Sequence, residues 1–527
     1  MLVASAIVQV APLASANGRF PRAQRLIQAS DAPGVMALYG TYGLLVTQDG
    51  GSSWNHICEA ATGTYMGEDP LLEILPGTKI VARTETALVA SQSSWCDFRS
   101  IYGNDGDSVA DITRDPAQPN TIVALVGNYD KTAGFTSRLV ETTDAGKTWS
   151  TPTSVPPANI GQGSSLDLAP SGSGRLYVTG LDPMGKGSIV VSDDRGQHWT
   201  AHAIAGADSS ASPYLAAISS KNQDTLFVRT DAYVDMDGID TANDSLLVST
   251  DAGATFTTVI TRGAKLFGFA LSPDETTLLV GYGDPQLSAT NVVASDTGLY
   301  KADLAALLAD LPHGEAHFTK IFSPSVTCLR WTAQGLFACT LAGDTGFEVG
   351  RAADASFTAS TPTPFAPLLL LGEVTPLPCG QGTSAYGCYT DPVNGFPGVC
   401  GMIGASCDAS APPPGTMSGL FMGASGGSGA GGVTSAAGAP TASSAGGTAP
   451  ASAGGSPAAG GAPGGASGTP GSLPVAASPT GGKTGSSACG FRPARGPSSA
   501  AMVLAFLSLI AARVRRGKRR SRAAHEP

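Results

Sequence analysis

Ser192-Asp193-Asp194-Arg195-Gly196-Gln197-His198-Trp199 decides the fold, because its grammar returns three more times in the 527-residue chain. Thr47-Gln48-Asp49-Gly50-Gly51-Ser52-Ser53-Trp54, Thr142-Thr143-Asp144-Ala145-Gly146-Lys147-Thr148-Trp149 and Ser249-Thr250-Asp251-Ala252-Gly253-Ala254-Thr255-Phe256 repeat it. The shared pattern is Ser/Thr-x-Asp-x-Gly-x-x-Trp/Phe. Each copy follows an apolar run (Leu44-Leu45-Val46, Leu139-Val140, Ile189-Val190-Val191, Leu246-Leu247-Val248) and so predicts the turn of a β-hairpin. A short Asp side chain accepts hydrogen bonds from N–H groups of its own loop, and Gly supplies a position with positive φ. The aromatic then starts the return strand and packs inward.

These four stretches resemble the Asp-box, or BNR, repeat of sialidases, sortilin-type receptors and photosystem-assembly propellers. The resemblance implies a structural role for Asp49, Trp54, Asp144, Trp149, Asp194, Trp199, Asp251 and Phe256 at outer hairpin turns. Eroded copies extend the series. Ser91-Gln92-Ser93-Ser94-Trp95-Cys96-Asp97-Phe98 keeps the first Ser and the last aromatic, with Ser93 in place of Asp and Trp95 in place of Gly. Gly298 to Asp303 and Val349 to Phe357 supply two more, the former placed mainly by spacing. Positions 49, 93, 144, 194, 251, 303 and 354 then mark seven units with steps of 44 to 57 residues. A repeat near that length with several short strands per unit is the signature of a propeller blade. The expected fold is all-β, a seven-bladed β-propeller over 17–370. Runs such as Val35–Tyr39, Thr121–Val126, Leu176–Val178, Thr225–Val228 and Thr277–Gly281 read as inner strands that precede each hairpin. Helical spacing is confined to Ala302–Leu311, a short helix between blades.

Residues 1–16 are apolar and uncharged and end in Ala14-Ser15-Ala16, an h-region with an A-x-A site but without a basic start. A signal peptide with a late start codon fits, and a mature β-strand is the alternative. Export agrees with nine cysteines, eight of them before the low-complexity region. Cys328 and Cys339 flank a hairpin centred on Ala333-Gln334 and predict a bridge across two strands. Cys58 with Cys96 is expected to link the first two blades, with buried free thiols as the alternative. Cys379, Cys388, Cys400 and Cys407 make a small disulfide-knitted segment over 371–408 whose pairing stays open.

Residues 409–482 carry no charge and consist almost wholly of Gly, Ala, Ser, Pro and Thr, a flexible tether reaching to 488. Its root-mean-square span is roughly 50 Å. Residues 489–527 follow: Cys489-Gly490, an apolar helix over 497–512 and an Arg/Lys cluster. The helix is shorter than the ~20 residues of an ordinary membrane span, and the basic cluster sets its end in the cytoplasm. This tail resembles the MYXO-CTERM sorting signal of myxobacterial surface proteins. That resemblance implies a membrane protease acting near Cys489 and a modified or anchored Cys489; a plain tail anchor is the alternative. The expected location is the cell surface or outer membrane.

Of the 31 basic and 41 acidic residues, nine and one lie in 489–527, net +8, which leaves 22 and 40 elsewhere, net −18. An acidic body disfavours nucleic acid, whose binding needs clustered cations. Asp231, Asp235, Asp237 and Asp240, with Gly238 and Asp244, crowd the widest step between boxes. They suit either a calcium loop, with calcium as the one cofactor to consider, or a solvated acidic insertion; the spacing does not match an EF-hand. Six histidines show no zinc spacing.

Two function classes remain. The first is a non-catalytic binding or scaffold module for an extracellular protein or glycan, acting through loops on the blade faces, with Tyr39, Tyr42, Asp107, Tyr129 and Asp284 as candidates. The second is a glycoside hydrolase of sialidase or xyloglucanase type. By resemblance, sialidases need three arginines around a carboxylate, a Tyr/Glu nucleophile pair and an early Arg-Ile-Pro. Arg19-Phe20-Pro21 is only superficially similar to the last, and no Tyr/Glu pair can be read here. Xyloglucanase-like enzymes place two carboxylates between tandem propellers, and this chain has room for one. The binding module is therefore the expected function, with no catalytic residue assigned.

Overall fold

The computed structural model describes residues 22–389 apart from 64–70, 85, 93, 104–105, 131–133, 233–242, 285–291 and 353–364. All of them lie in the first of two compact parts of the chain, Met1–Gly429; the second, Ala430–Pro527, falls outside the described residues. The described chain is all-β with a few short helices, none long and apolar enough to cross a membrane.

Its strands form seven successive antiparallel meanders of four. The first strands of units one to seven are Ala23–Gln28, Leu72–Leu75, Asp107–Arg114, Gln162–Leu168, Ala211–Ile218, Lys265–Leu271 and Val326–Thr332. Units four and five share one eight-stranded sheet, but only Asp208 and Ala211 pair across their junction. The runs expected as inner strands occupy the second position of their units, for example Met36–Gly40 and Leu226–Ala232; the innermost strand is the one before each run.

The buried side chains fall into seven clusters, each shared by two neighbouring units. Strand Met36–Gly40 shows why the runs are continuously apolar. Met36 and Leu38 pack towards unit seven, while Ala37 and Tyr39 pack towards unit two. A strand covered on both faces has no side to leave polar. The cluster holding Ala23, Leu26, Phe337 and Leu369 joins unit seven back to unit one, so the units close into a ring. Thr327 Oγ1 donates to Ala23 O at 2.7 Å, and Ala23 N donates to Glu348 Oε2 at 3.3 Å across the same seam.

Beyond unit seven the chain returns to unit one. Thr375–Pro376 pairs in parallel with Asn55–Ile57 at the outer edge of that sheet. Cys58 is bridged to Cys388 and Cys96 to Cys379. The expected Cys58–Cys96 link is thus replaced by two bridges to one returning segment. Cys379 and Cys388, expected within a separate knot, belong to the core between units one and two with Leu377 and Tyr389. The physical reason is ring closure, which brings residues 375–389 against units one and two, so both early cysteines face the same late segment. Cys328 and Cys339 are bridged as opposed residues of adjacent strands in unit seven. Cys400 and Cys407 lie outside the described residues.

The short helix falls at Leu304–Ala309, inside the segment with helical spacing. Asp303, the expected sixth box residue, instead caps this helix, accepting a hydrogen bond from Ala306 N at 2.8 Å. Unit six therefore joins its third and fourth strands through the helix and the 3-10 turn Leu311–His317 rather than through a box turn.

Candidate functional site

The box turns lie between the third and fourth strands of units one, three, four and five. In unit four, Ser192 Oγ donates to Asp194 Oδ1 at 2.9 Å and accepts from Gly196 N at 2.7 Å. Asp194 Oδ1 also accepts from Gln197 N at 3.1 Å and His198 N at 2.8 Å, and Oδ2 meets His198 Nδ1 at 2.5 Å. Asp49, Asp144 and Asp251 repeat the arrangement with Thr47 and Ser53, Thr142 and Thr148, and Ser249 and Thr255. Both oxygens of each carboxylate are engaged within the turn. Hydrogen bonds from Thr148 hold Asp144, and those from His198 hold Asp194, down at a pKa of about 2.

The box glycine serves the joint between units. At Gly146, with φ 86°, a Cβ would stand 2.6 Å from Ile101 Cδ1 of unit two. Gly196 and Gly253 face Leu139 and Ile189 of their preceding units in the same way. The aromatics complete these joints: Trp149 Nε1 donates to Ile101 O at 2.5 Å, whereas Trp54 is buried and bonds Gly51 O at 3.0 Å within its own turn. Trp199 and Phe256 are partly buried against the cores between units three and four and between units four and five. In the eroded second copy, Trp95 takes a φ of 58° at the glycine position and donates Nε1 to Thr78 O at 2.8 Å; Ser93 is outside the described residues.

A second polar constellation sits on the first strands, where the sequence reading named no residue. Arg25, Glu73, Asp111, Arg114, Asp167 and Arg330 come from units one, two, three, three, four and seven. Glu73 lies between Arg25 and Arg114, at 3.7 and 3.8 Å. Asp111 reaches across to the next first strand, Oδ2 accepting from Leu166 N at 2.8 Å, while Oδ1 accepts from Ile112 N at 2.8 Å. Asp167 Oδ1 accepts from Thr113 Oγ1 at 2.8 Å and Leu168 N at 2.9 Å. Arg330 is exposed to solvent yet hemmed in by protein, as befits a side chain inside a ring, and lies within electrostatic range of Glu73, Arg25, Arg114 and Asp167. Burial pushes the Asp111 carboxyl up to about 7 and raises that of Asp167 as well.

The level of this cluster follows from its neighbours. Arg114 Nη1 donates to Ser30 Oγ at 3.1 Å, in the loop between the first two strands of unit one. The same loop meets the box turn through Gly50 N and Gly34 O at 2.8 Å. The charged cluster therefore belongs to the box-bearing end of the ring.

Other expected positions are dispersed. Tyr39, Tyr42 and Asp107 are buried rather than displayed on a loop face. Asp107 is held by Arg138, by the Tyr102 hydroxyl at 2.9 Å and by Asn128 at 3.3 Å. Tyr129 is 60% exposed and packs against Phe135 with ring centroids 4.9 Å apart. Asp284 is half-buried at the end of its strand. Asp231 pairs with Lys265, which also reaches the buried Asp244 at 3.2 Å, so this aspartate is neutralised by a cation of its own fold. Asp235, Asp237, Asp240, Cys489 and Gly490 lie outside the described residues. Among the described residues no group of three or more His, Cys, Asp or Glu is placed to hold a metal ion.

No protein-family model matches the chain, and no curated protein sequence matches it. Solved structures with similarity include an ancestral GH74 enzyme, 14% identical with a TM-score of 0.45 over 66% of this chain and 46% of that one. They include the hydrazine synthase of Kuenenia stuttgartiensis, 12% identical with a TM-score of 0.44 over 66% and 99%. A Trypanosoma rangeli sialidase in complex with sialic acid is 13% identical with a TM-score of 0.33 over 53% and 52%. The chain thus covers about half the length of the GH74 enzyme and of the sialidase.

Proposed function

We propose that the seven units are the blades of a seven-bladed Asp-box propeller, exported, tethered by 409–488 and held at the cell surface through the sorting signal at 489–527. In this reading the propeller is a non-catalytic module that binds or scaffolds an extracellular protein or glycan. The observation that carries it is the division of polar groups. The box carboxylates are spent inside their own turns, while the first strands leave a charged constellation facing the middle of the ring, in which Arg330 has no partner among the described residues. Such a surface suits recognition of a charged or hydrogen-bonding ligand.

One observation favours a second reading, glycoside hydrolysis. Asp111 and Asp167 stand on adjacent first strands with pKa values pushed up by burial, the property a general acid needs near neutrality. A panel of glycans and extracellular proteins, read for binding and for release of a fluorogenic aglycone in the same wells, separates the two. Binding without turnover is expected. Turnover abolished by Asp111→Asn overturns the binding-module reading in favour of the hydrolase.

A further inference from the structure

We infer that the box-bearing end of the ring holds a site for a phosphate group, free or as a monoester, built on Arg330, Arg114, Arg25, Asp167 and Asp111. The inference rests on the ring interior being the binding surface. Arg330 makes no hydrogen bond or ion pair with any described residue, although it is exposed and surrounded by other charges. Arg25 and Arg114 share one carboxylate at 3.7 and 3.8 Å, longer than the ~2.8 Å of a well-formed guanidinium–carboxylate hydrogen bond. Three guanidinium groups thus gather around Glu73, and Arg330 has no partner among the described residues. Each guanidinium presents N–H donors in a planar fork that fits two oxygens of a tetrahedral oxyanion.

The aspartates choose among oxyanions. Each oxygen of Asp111 already accepts one backbone N–H, and Asp167 accepts two donors through Oδ1, which leaves Oδ2 without a described partner. An ionised carboxylate beside the guanidinium groups repels sulfate, which carries no proton at neutral pH. It accepts a hydrogen bond from the P–OH of hydrogen phosphate, or from that of a monoester's monoanion, the minor form of a monoester at pH 7. Burial raises both carboxyls, that of Asp111 to about 7, which limits the repulsion at Asp111 without removing the acceptor.

The test is isothermal titration of the full chain at pH 7 with inorganic phosphate, glycerol 3-phosphate, sulfate and acetate. Saturable phosphate binding is expected, at least about tenfold tighter than sulfate or acetate, and weakened about tenfold or more by Arg330→Gln and by Arg114→Gln. Asp167→Asn is expected to bring phosphate and sulfate closer together, a readout that a purely structural role would not move. Glycerol 3-phosphate binding as tightly as phosphate identifies a monoester site, and binding of phosphate alone identifies the free ion. Equal binding of phosphate and sulfate, phosphate binding indifferent to Arg330→Gln in a chain with wild-type circular dichroism, or no saturable heat would each overturn the inference. If phosphate fails while the glycan and protein panel gives binding that depends on Arg330, only this inference falls and the binding-module reading stands.

Discussion

The box turns and the first strands use the same residue types to opposite ends. In a box turn, a carboxylate, a hydroxyl and backbone N–H groups sit within seven residues and satisfy one another, so the carboxylate needs nothing from outside. On the first strands, Arg25, Glu73, Asp111, Arg114, Asp167 and Arg330 are brought together from up to 305 residues apart, with long ion pairs to Glu73 and with Arg330 lacking a partner among the described residues. Local satisfaction builds a joint, and incomplete long-range satisfaction leaves a surface able to bind.

Four changes break or sharpen that contrast. The largest effect is expected from opening the returning segment with Cys58→Ser and Cys96→Ser together, because these bridges close separations of 330 and 283 residues. Each is worth about 2–4 kcal/mol, so chemical denaturation should show a drop of several kcal/mol in the double variant. Next is Glu73→Gln, which leaves Arg25 and Arg114 without their shared carboxylate and should cost about 2 kcal/mol in urea unfolding, less than a fully buried pair would. Gly146→Ala should cost about 1–2 kcal/mol, since the residue has φ 86° and a new Cβ would press on Ile101.

The smallest change is in pH dependence at the ring seam. Burial lifts the Glu348 carboxyl to about 8 from 4.5, so the folded state holds a proton that the unfolded chain releases. Its penalty is absent below about pH 4.5 and grows as pH rises towards 8. Burial lowers His56 from 6.5 to about 4, so its penalty grows as pH falls from 6.5 to 4. The two slopes oppose each other between pH 4.5 and 6.5, and melting temperature should fall on either side. Glu348→Gln should flatten the alkaline limb alone. A box turn behaves differently: Asp144, held at about 2, contributes stability above pH 3.8 that is lost as pH falls from 3.8 towards 2.

The box turns were legible because each carboxylate's partners lie within four residues of it in the sequence. The sixth was not a box, since Asp303 caps a helix whose spacing was visible nearby. The charged cluster left a trace that the sequence reading passed over. Leu72-Glu73-Ile74, Ala110-Asp111-Ile112, Leu166-Asp167-Leu168 and Leu329-Arg330-Trp331 each place one charge between apolar neighbours, just ahead of a continuous apolar run or strand. A single charge on a half-buried strand reads as a solvated face until the ring places several opposite one another. The partners of Cys58 and Cys96 were illegible for the same reason: nothing near either residue reports that residues 375–389 return to unit one.

The most direct measurement compares two variants in the glycan and protein panel, each with its melting temperature: Asp144→Ala with Asp194→Ala in the box turns, and Arg114→Gln with Arg330→Gln in the ring. Box variants should melt lower and keep binding, while ring variants should lose binding while still folded. Binding lost in the box variants while they remain folded, and kept in the ring variants, would contradict the assignment of the boxes to structure and the ring to recognition.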